Sequence, residues 1–599
     1  MISIPFIPDN APFSAEQRLW LNGYLAGLFS DASAAARAMA GLSNAPVIPN
    51  ALPKPLVLLY GSQTGTAEGL AKKLAKQAGG RGFAPKLIGM EKFDSLDLSK
   101  EEHMLVVTST YGDGDPPDNA QEFWSWLSSD AAPKLERISY SVLALGDTNY
   151  PAFCEFGKKC DARLEALGAR RVHPRQDCDL DYETAAAAWS DAVLSALSSS
   201  SESGTADAIP VNGATPIATQ IADASLGWSR KNPFPARLLV NRRLTREGSG
   251  KEVRHFEIAL AGSGLSYEVG DALGVLPSNC AAQVSDLLAA LHCDGEEAVQ
   301  SPDGAETSLR IALTQHFDII KPSSDLLKAA ADRMEDGTLR SLLDPAQREG
   351  LKTWLWGREV IDILLGMKAK FSADELIALL KKLQPRLYSI SSSPKAHPEE
   401  VHLTVGSVRY ESHRRARKGV CSTFLADRCA AETPVPVFIQ TSHGFRLPAN
   451  GDVPIIMCGP GTGIAPFRAF LEERFATGAK GRNWLLFGDQ RRATDFLYQE
   501  SLEAWLGDGH LTRLDLAFSR DQAEKVYVQQ RMLENAAELW SWLQAGAHLY
   551  VCGDASRMAK DVDAALHTIA ETAGGLSRDG AAEFVAKLKS DKRYQRDVY

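Results

Sequence analysis

The hydrophobic positions divide the chain after about residue 52 into three regions with different patterns. In the first region, short unbroken apolar runs alternate with helical patterns, which is typical of parallel strands buried between helices. The middle region has short strands of alternating polarity, interrupted by a mostly helical block. The last region returns to unbroken apolar runs followed by polar or glycine-rich turns. The pattern predicts an α/β multidomain protein with a doubly wound sheet, an antiparallel β-barrel carrying a helical insertion, and a second parallel α/β domain.

Composition shifts and breaker residues indicate the domain boundaries. The predicted segments are an N-terminal helical extension (1–52), a doubly wound domain (53–200), a flexible linker (201–231), a barrel in two parts (232–277 and 384–447), the helical insertion between them (278–383) and a nucleotide-type domain (448–599). The linker is rich in serine and small residues, so it would let the first domain move. The helical pattern of residues 13–27 is compatible with assembly of several copies and with local packing.

Three apolar strands of the first region each end in a loop of small and polar residues. The strand–loop pairs are 55–60 with 61–68, 104–108 with 109–117, and 140–145 with 146–150. Loops at the carboxyl ends of parallel strands meet at one edge of the sheet, where doubly wound domains bind ligands. Hydroxyl and N–H groups at the start of a helix form a phosphate cradle. The first loop lacks the Gly-Lys-Ser/Thr of an ATP-binding loop, which favours a monophosphate without a metal.

The stretch Arg386-Leu387-Tyr388-Ser389 opens the second part of the barrel. In a strand, Arg386 and Tyr388 share one face, and a bend at the strand end could bring Ser389 to the same ligand. Arg can hold a pyrophosphate with two hydrogen bonds, Tyr can lie against an aromatic ring, and Ser can bond a ring nitrogen. These residues suit a flavin; an ordinary strand with a surface Arg is the alternative. Residues 419–425, a small-residue loop entering a helix, are another candidate phosphate cradle.

The last region combines a glycine-rich loop with basic residues beyond a strand. Strand 453–458 leads into loop 459–466, an arrangement that lays a dinucleotide pyrophosphate on backbone N–H groups, although its glycines do not follow the usual spacing. The polar residues beyond strand 514–518 are Ser519, Arg520, Lys525, Tyr527 and Gln529. Two cations with hydroxyl and amide groups suit a 2′-phosphate, and therefore NADPH rather than NADH. An exposed basic loop is the alternative.

Composition limits the classes of partner and compartment. The 599 residues carry a net charge of -10, which disfavours nucleic acid and allows a basic protein partner. Nine Cys without a Cys-x-x-Cys pair form no zinc or iron–sulfur motif and fit a reducing compartment. The first ten residues lack a signal-peptide pattern, and no run of about 18 apolar residues suits a membrane span. We expect a cytoplasmic protein that binds no metal, nucleic acid or membrane.

Acidic residues cluster around the loops of the first region. They are Asp113, Asp115, Asp118, Asp147, Glu155, Asp177, Asp179 and Asp181. A solvated face is one interpretation of this cluster. The other is a docking surface for a basic protein, where charge raises the association rate more than the affinity.

The order of these motifs resembles the diflavin reductases. The first domain is similar to flavodoxin, and a split barrel with Arg386-x-Tyr388-Ser389 and a nucleotide domain follow it. Within that family, the helical pattern of residues 13–27 and the ending Tyr-Gln-Arg-Asp-Val-Tyr599 resemble the flavoprotein subunits of assimilatory NADPH–sulfite reductases. The resemblance implies a flavodoxin-like sheet, an FAD-binding barrel with its helical insertion and a ferredoxin-reductase-like NADP-binding domain. It implies FMN, FAD and NADPH as cofactors.

The resemblance also implies the residues that bind each cofactor. For FMN they are Ser62, Gln63, Thr64, Gly65, Thr66, Ala67, Ser109, Thr110, Tyr111, Gly112, Leu145, Gly146, Asp147, Asn149, Tyr150, Phe153 and Cys154, with Tyr111 and Tyr150 flanking the ring. For FAD they are Arg386, Leu387, Tyr388, Ser389, Thr404, Val405, Gly406, Tyr410, Gly419, Val420, Cys421, Ser422 and Tyr599. For NADPH they are Gly461, Thr462, Ser519, Arg520, Lys525, Tyr527, Gln529 and Asp561. The family's Thr contact to FAD near Lys321-Pro322-Ser323 is not carried over, because Pro stands there.

Ser389, Cys552, Asp597 and Tyr599 match the residues of that family that act in hydride transfer. Tyr599 would cover the FAD ring and move aside for the nicotinamide. The implied route runs from NADPH through FAD and FMN to the sirohaem and iron–sulfur haemoprotein (beta) subunit, for six-electron reduction of sulfite to sulfide in cysteine biosynthesis. A homo-oligomer formed through the N-terminal region is also expected. A diflavin reductase that serves another haemoprotein, such as a cytochrome, and a non-enzymatic FMN-binding carrier are the alternatives.

Overall fold

The computed structural model describes residues 53–62, 65–111, 114–148, 152–179, 182–199, 227–334, 336–429, 433–442 and 444–599. The N-terminal helical pattern and the linker up to residue 226 lie outside these ranges. So do five expected FMN-binding residues and two of the clustered acidic ones: Gln63, Thr64, Gly112, Asn149, Tyr150, Asp113 and Asp181. The compact unit Pro55–Tyr599 contains the three folded regions.

The first region folds as a six-stranded sheet with helices on both faces. Its strands are β1 (Lys54–Gly61), β2 (Phe83–Gly89), β3 (His103–Ser109), β4 (Ser139–Leu145), β5 (Arg170–Arg171) and β6 (Gln176–Cys178). Its helices are α1 (Thr66–Gly79), α2 (Gln121–Ser128), α3 (Glu155–Ala166) and α4 (Tyr182–Ser199). The order is β2-β1-β3-β4-β5, and β6 also pairs with β4. Alternate residues of β1 enter two separate cores, which explains its unbroken apolar sequence.

The middle region begins with four barrel strands and continues into the helical insertion. The strands are β7 (Phe234–Ala236), β8 (Leu238–Arg243), β9 (Glu252–Ala259) and β10 (Ala272–Val275). The insertion contains the hairpin β11 (Ala298–Gln300) and β12 (Glu306–Ser308) and the helices α5 (Ala281–Leu291), α6 (Leu309–Gln315), α7 (Ser324–Ala331), α8 (Thr338–Leu342), α9 (Arg348–Leu355), α10 (Val360–Leu365) and α11 (Ala373–Leu379). Its helices pack around a hydrophobic core of their own.

After the insertion, the chain re-enters the barrel. The elements are β13 (Arg386–Ser389), β14 (Glu400–Ser407), β15 (Arg409–Ser412), β16 (Arg415–Lys418), α12 (Val420–Thr423), a π-helical turn (Phe424–Arg428) and β17 (Val435–Gln440). The antiparallel pairs β13–β10 and β14–β9 join the segments before and after the insertion. The sheets β13-β10-β17-β7 and β14-β9-β8 enclose one core. The insertion therefore leaves the barrel intact.

The last region is a five-stranded parallel sheet in the order β20-β19-β18-β21-β22. Its strands are β18 (Ile455–Cys458), β19 (Asn483–Asp489), β20 (Arg513–Phe518), β21 (His548–Gly553) and β22 (Tyr594–Val598). Its helices are α13 (Ala465–Ala476), α14 (Arg492–Asp495), α15 (Gln499–Gly507), α16 (Val528–Glu534), α17 (Ala536–Gln544), α18 (Met558–Thr572) and α19 (Arg578–Ser590). The predicted α/β multidomain fold class is confirmed. The pattern did not predict β22.

A buried polar seam joins the barrel to α13 of the last region. Arg468 pairs with Glu472 at 2.7 Å and donates to the carbonyl oxygen of Ser391 at 2.6 Å. His255 and His402, on neighbouring barrel strands, lie beside this pair. Burial, and after it the charge of Arg468, lowers the pKa of His255 to about 3 and that of His402 to about 2. Both imidazoles are therefore neutral at physiological pH, so the seam does not gain further positive charge.

Within the described ranges, we find no helix that combines the length and the apolar character needed to cross a membrane.

Candidate functional site

The loop between β1 and α1 has the geometry of a phosphate-binding turn. Gly65 adopts a left-handed φ of 88° directly before α1, and its N–H donates to the hydroxyl of Ser62 at 2.9 Å. The N–H of Ser62 donates to Oδ1 of Asn119 at 2.8 Å. Thr66 begins the helix, and Ala67 is buried beneath it. The positive end of the α1 dipole is thereby held at the edge of the sheet, where it attracts an anion.

The loop after β3 brings two buried hydroxyl groups to the same edge. The hydroxyl oxygens of Ser109 and Tyr111 are buried and have no hydrogen-bond partner among the described residues. A buried polar atom without a partner costs free energy, so a ligand that bonds both groups would recover it. The hydroxyl of Thr110 instead accepts from the N–H of Phe156 at 3.1 Å. The loop therefore fits a polar aromatic ligand such as the FMN ring.

The loop after β4 packs too tightly for larger side chains. A Cβ atom on Gly146 would lie 2.7 Å from the nitrogen of Cys154 and 2.9 Å from the ring of Phe153. Leu145 is buried before this turn, and Asp147 is half-buried after it. Burial raises the pKa of Cys154 to about 12, so the thiol stays protonated. This loop can offer backbone groups and the Asp147 carboxylate to a ligand, but no thiolate.

Arg386 and Tyr388 lie on the edge strand β13 of the barrel. The guanidinium of Arg386 donates to the carbonyl of Gln384 at 3.0 Å, and it pairs with no carboxylate among the described residues. Its charge is therefore available to a pyrophosphate. Burial and the neighbouring Cys421 raise the pKa of Tyr388 well above its ordinary value. The side chain of Leu387 between them is 52% exposed.

Ser389, Cys552 and Asp597 meet although the chain separates them widely. The hydroxyl of Ser389 donates to Oδ2 of Asp597 at 2.6 Å, and the Sγ atom of Cys552 lies 3.9 Å from the same oxygen. Cys552 and Asp597 are direct partners in the β21–β22 ladder. Burial raises the pKa of the Asp597 carboxyl and of the Cys552 thiol. The site thus holds a desolvated carboxylate between two donors.

Tyr599 follows β22 and lies over the glycine-rich loop of the last region. Its hydroxyl is 2.8 Å from Oγ1 of Thr462, and its N–H donates to the carbonyl of Gly553 at 3.0 Å. A Cβ atom on Gly463 would lie 2.1 Å from the carbonyl oxygen of Cys552, so this loop needs glycine to approach β21. Tyr599 and Thr462 therefore belong to one site with Cys552.

Three consecutive residues of β14 differ in how they can contact a ligand. The hydroxyl of Thr404 is buried and lies 2.6 Å from the hydroxyl of Tyr498, and Val405 is buried in the barrel core. Gly406 is partly exposed, and a Cβ atom on it would lie 3.8 Å from the Thr462 side chain. A ligand at this edge would therefore meet backbone atoms of Thr404 and Val405 and the open face of Gly406.

The hairpin β15–β16 and the start of α12 form the other end of the barrel site. Tyr410 on β15 is 45% exposed, which leaves its ring open to a ligand. A Cβ atom on Gly419 would lie 2.7 Å from Oγ of Ser422, so the chain turns tightly here. Val420 and the buried Cys421 form the first turn of α12. The small residues leave the backbone accessible, as a pyrophosphate contact requires.

The residues expected to bind NADPH lie at the carboxyl edge of the last sheet. They are Ser519, Arg520, Lys525, Tyr527, Gln529 and Asp561. Ser519 and Arg520 directly follow β20, and the side-chain amide of Gln529 donates to Asp561 at 3.0 Å. Tyr527 is 43% exposed beside α16. Doubly wound sheets bind dinucleotides at this edge.

Lys251 is a site residue that the sequence analysis missed. Its ammonium pairs with the buried carboxylate of Asp489 at 2.5 Å. A Cβ atom on Gly461, whose φ is 60°, would lie 3.8 Å from that ammonium. Lys251 comes from the barrel but reaches the glycine-rich loop of the last region, so it adds a positive charge where a dinucleotide pyrophosphate is expected. A lone Lys directly before a strand carries no sequence signal for this role.

The contact between Arg596 and Asp118 was not predicted from the sequence either. Nε of Arg596, on β22, donates to Oδ2 of Asp118 in the first region at 2.8 Å. Nζ of Lys381 also donates to the carbonyl of Thr148 at 2.6 Å. These contacts bring the loops of the first region to the edge that carries Ser389 and Asp597. Three acidic residues of the cluster thus have partners within the chain: Asp118 binds Arg596, Asp177 pairs with Arg175, and Asp179 accepts from Thr148.

Three protein-family models match the chain in the order of the three folded regions. They are "Flavodoxin" over residues 58–189, "FAD binding domain" over residues 227–424 and "Oxidoreductase NAD-binding domain" over residues 457–564. The helical insertion lies inside the second match. The matches bear out FMN, FAD and NADPH as the expected cofactors.

Relatives of similar length carry the name sulfite reductase (NADPH) flavoprotein alpha-component. The protein of Bacillus subtilis is 46% identical, over 97% of this chain and 95% of the relative. A protein of Vibrio cholerae is 45% identical, over 98% of this chain and 94% of the relative. A protein of Vibrio vulnificus is 43% identical, over 100% of this chain and 96% of the relative.

Proposed function

The chain belongs to the family of the sulfite reductase (NADPH) flavoprotein alpha-components, and from this membership we propose that it passes electrons from NADPH through FAD and FMN to a sirohaem sulfite reductase haemoprotein. It is an NADPH-dependent diflavin oxidoreductase. The haemoprotein uses the electrons for the reduction of sulfite to sulfide.

The observation that carries the proposal is that the residues expected to bind the FAD edge lie close to the loops expected to bind FMN. The group formed by Ser389, Asp597 and Cys552 lies beside the glycine-rich loop on one side. The Arg596–Asp118 contact holds the first region on the other side. Electrons that enter from a dinucleotide would therefore have a short path to the FMN loops. A carrier that only binds FMN would not need this cluster.

Each side chain of the cluster has a proposed task. When bound, the flavins and NADPH supply hydride and electron transfer, which turns a two-electron donor into a source of single electrons. The hydroxyl of Ser389 would orient the reactive edge of the FAD ring, and Asp597 would stabilise positive charge that develops on the nicotinamide. The thiol of Cys552 would help to hold the Asp597 carboxylate in place through the weak hydrogen bond to its Oδ2 atom. Tyr599 would cover the FAD ring and would have to move aside for the nicotinamide.

The remaining binding residues and segments are proposed as the sequence analysis assigns them. The first domain (53–200) holds FMN, the barrel (232–277 and 384–447) with its insertion (278–383) holds FAD, and the last domain (448–599) holds NADPH. Residues 1–52 serve in homo-oligomer assembly, and the linker (201–231) tethers the FMN domain. The nine free thiols, six of them buried and three partly exposed, fit a reducing cytoplasm.

The test is NADPH-dependent sulfide release from a mixture of this chain, a sirohaem sulfite reductase haemoprotein and sulfite. We expect sulfide at a rate well above that of either protein alone. Omission of NADPH is the first control, and replacement of the haemoprotein by a cytochrome is the second. Bleaching of the flavins by NADPH without sulfide would point to a diflavin reductase with another acceptor. A purified chain without flavin, or one inert to NADPH, would contradict the enzymatic proposal.

A further inference from the structure

Tyr410, an expected FAD contact, stands opposite an arginine that no cofactor role explains. The β15–β16 ladder pairs Tyr410 directly with Arg417, so both side chains project from the same face of the hairpin. Tyr410 is 45% exposed, whereas Arg417 is only 1% exposed. The hairpin thus presents an open aromatic ring that rests beside a buried charge.

Every nitrogen of the Arg417 guanidinium has a partner. Nη1 donates to Glu359 at 2.9 Å, Nη2 donates to Asp362 at 2.7 Å, and Nε donates to the hydroxyl of Ser412 at 2.9 Å. Glu359 and Asp362 are the capping residues at the start of α10 in the helical insertion. A single side chain therefore connects the hairpin to a helix of the insertion. Only a planar guanidinium can hold three acceptors in these directions.

Two further hydrogen bonds join the β15–β16 hairpin to the residues just before α10. The Ser412 hydroxyl donates to the carbonyl of Gly357 at 2.6 Å. A Cβ atom on Gly357, whose φ is 70°, would lie 2.7 Å from the Ser412 Cβ, so the position requires glycine. Nε2 of His413 at the hairpin tip lies 3.0 Å from the carbonyl oxygen of Trp356. The hairpin is thus fixed to the insertion along its whole outer half.

We propose that Arg417 is a positioning residue for FAD: by clamping the hairpin onto α10, it holds the Tyr410 ring at the distance and angle at which the ring packs against the bound dinucleotide. The inference rests on the proposed FAD site and deepens it. It also assigns a task to the helical insertion, which supplies both carboxylates of the clamp. Without the clamp, the hairpin keeps the hydrogen bonds of Ser412 and His413 and its solvent-exposed ion pairs, but it loses the buried contact directly opposite Tyr410. Isolated hairpins are marginally stable, so this loss should loosen the Tyr410 strand.

Arg415 provides a matched control on the same strand. It also pairs with the insertion, through Asp286 on α5 at 2.9 Å, but this pair is exposed to solvent. An exposed pair contributes little, so Arg415→Met should leave the hairpin in place. Arg417→Met removes the buried clamp and leaves two carboxylates unpaired. A compensated variant, Arg417→Met with Glu359→Gln and Asp362→Asn, removes the clamp without leaving buried charge.

The experiment measures FAD and FMN per chain in the full-length variants, and the Kd for FAD by titration of FAD-depleted protein. For Arg417→Met we expect a Kd for FAD raised by at least about tenfold, a parent-like FMN content, and NADPH-driven flavin reduction that excess FAD restores. Arg417→Lys should recover only part of the affinity. The compensated variant should regain the parent melting temperature while its Kd for FAD stays raised. In a Tyr410→Ala background, Arg417→Met should raise the Kd for FAD only slightly further, because Arg417 acts through Tyr410.

Two results would overturn the inference. One is a parent-like Kd for FAD in Arg417→Met or in the compensated variant, which would limit Arg417 to general stability. The other is full additivity of Arg417→Met with Tyr410→Ala, which would separate Arg417 from the ring. A parent chain that binds no FAD would instead contradict the proposed function, so the two failures are distinguishable. If Arg417→Met does not fold, the compensated variant and Arg417→Lys decide the question.

Discussion

Ser389 has one short hydrogen bond, to Asp597, and this bond sets the direction of its hydroxyl. Ser389→Ala removes a group that is expected to act on the flavin edge during hydride transfer and leaves the dinucleotide contacts intact. We expect flavin reduction by NADPH to slow by about 10- to 100-fold, with a nearly unchanged Kd for NADPH. Stopped-flow absorbance of the flavin measures the rate. Ser389→Thr, which keeps the hydroxyl, is the control; an alanine variant as fast as the parent would refute the role.

The raised pKa of Asp597 predicts that the stability of the folded protein depends on pH. Burial raises its pKa in the folded state, and the hydrogen bonds from Ser389 and Cys552 offset this only in part. Between the unfolded value, about 3.9, and the raised folded value, the folded protein binds a proton that the unfolded chain releases, so stability falls as the pH rises through this window. Above the window, the ionised carboxylate costs stability.

Asp597→Asn should therefore melt at a higher temperature than the parent at pH 7.5. The difference should shrink as the pH falls through the folded pKa of Asp597, because the parent carboxyl is then neutral as well. Thermal unfolding of the flavin-loaded protein across a pH series measures this. Asp130→Asn, at an exposed turn, is the control and should melt as the parent does. A lower melting temperature for Asp597→Asn at pH 7.5 would contradict the expected sign.

The sequence predicted which residue types form the candidate site, but it did not predict which residues contact one another. Arg386, Tyr388 and Ser389 were identified because their side chains suit a flavin, and the structure brings them to one edge with residues of other elements. Thr404 shows the limit, because its hydroxyl bonds Tyr498 rather than facing solvent. The residue type at position 404 does not indicate this partner, because Tyr498 lies 94 residues away in the chain.

At the scale of elements, the carboxyl edge of the last sheet receives positive charge from two regions of the chain. Arg520 follows β20 in the same region, whereas Lys251 comes from the barrel. We expect Arg520→Ala to raise the KM for NADPH by about tenfold or more and to leave the KM for NADH unchanged, because only NADPH carries the 2′-phosphate. Steady-state kinetics with both nucleotides measure this.

Lys251→Met should raise the KM for both nucleotides, because a pyrophosphate is common to them. Lys251→Arg keeps the charge beside Asp489 and should retain most of the affinity. Each variant is therefore the control for the other. A loss confined to NADPH in Lys251→Met would place this ammonium at the 2′-phosphate instead.

Among the elements, apolar strands were the easiest to predict and β22 was missed. The apolar strand predicted over residues 514–518 is β20, which runs from Arg513 to Phe518. The sequence Tyr-Gln-Arg-Asp-Val of β22 has neither an apolar run nor a clear alternation. It becomes a strand because β21 offers an unpaired edge, and the resulting ladder sets Asp597 opposite Cys552.

At the scale of the whole molecule, the Asp118–Arg596 contact joins the first region to the last. The Arg596 side chain is 7% exposed, and burial lowers its pKa, so the pair is desolvated. Asp118→Asn removes the charge that pairs with Arg596 and so weakens the contact between the loops expected to bind FMN and the edge expected to bind FAD. We expect electron passage from FAD to FMN to slow by at least about threefold, while reduction of FAD by NADPH is unchanged.

Stopped-flow spectra resolved for the two flavins measure both steps. Added salt should slow passage in the parent and have less effect in Asp118→Asn, because a charged contact is screened. Asp115→Asn, which alters an exposed acidic residue of the same loop, is the matched control. Equal rates and equal salt dependence in the parent and Asp118→Asn would show that this contact does not govern the passage.

The sequence by itself determined the type of the folded regions, their order, and the loops that lie at the carboxyl edges of the parallel sheets. These features follow from local patterns: apolar periodicity decides strand or helix, and glycine, hydroxyl and basic residues at strand ends decide which groups reach the sheet edge. The resemblance to a family rests on the same local motifs. The apolar strands and the loop chemistry needed no knowledge of distant contacts, in contrast to β22.

Only the tertiary structure decided which distant residues meet. Ser389 reaches Asp597 across 208 residues of chain, and Arg596 reaches Asp118 across 478. Such pairs depend on how whole sheets pack and on where the insertion and the last strand come to lie. The three acceptors around Arg417 arise in the same way, from two elements that no local pattern connects. The physical reason is that burial and hydrogen bonding are properties of packed surfaces, whereas periodicity is a property of a single segment.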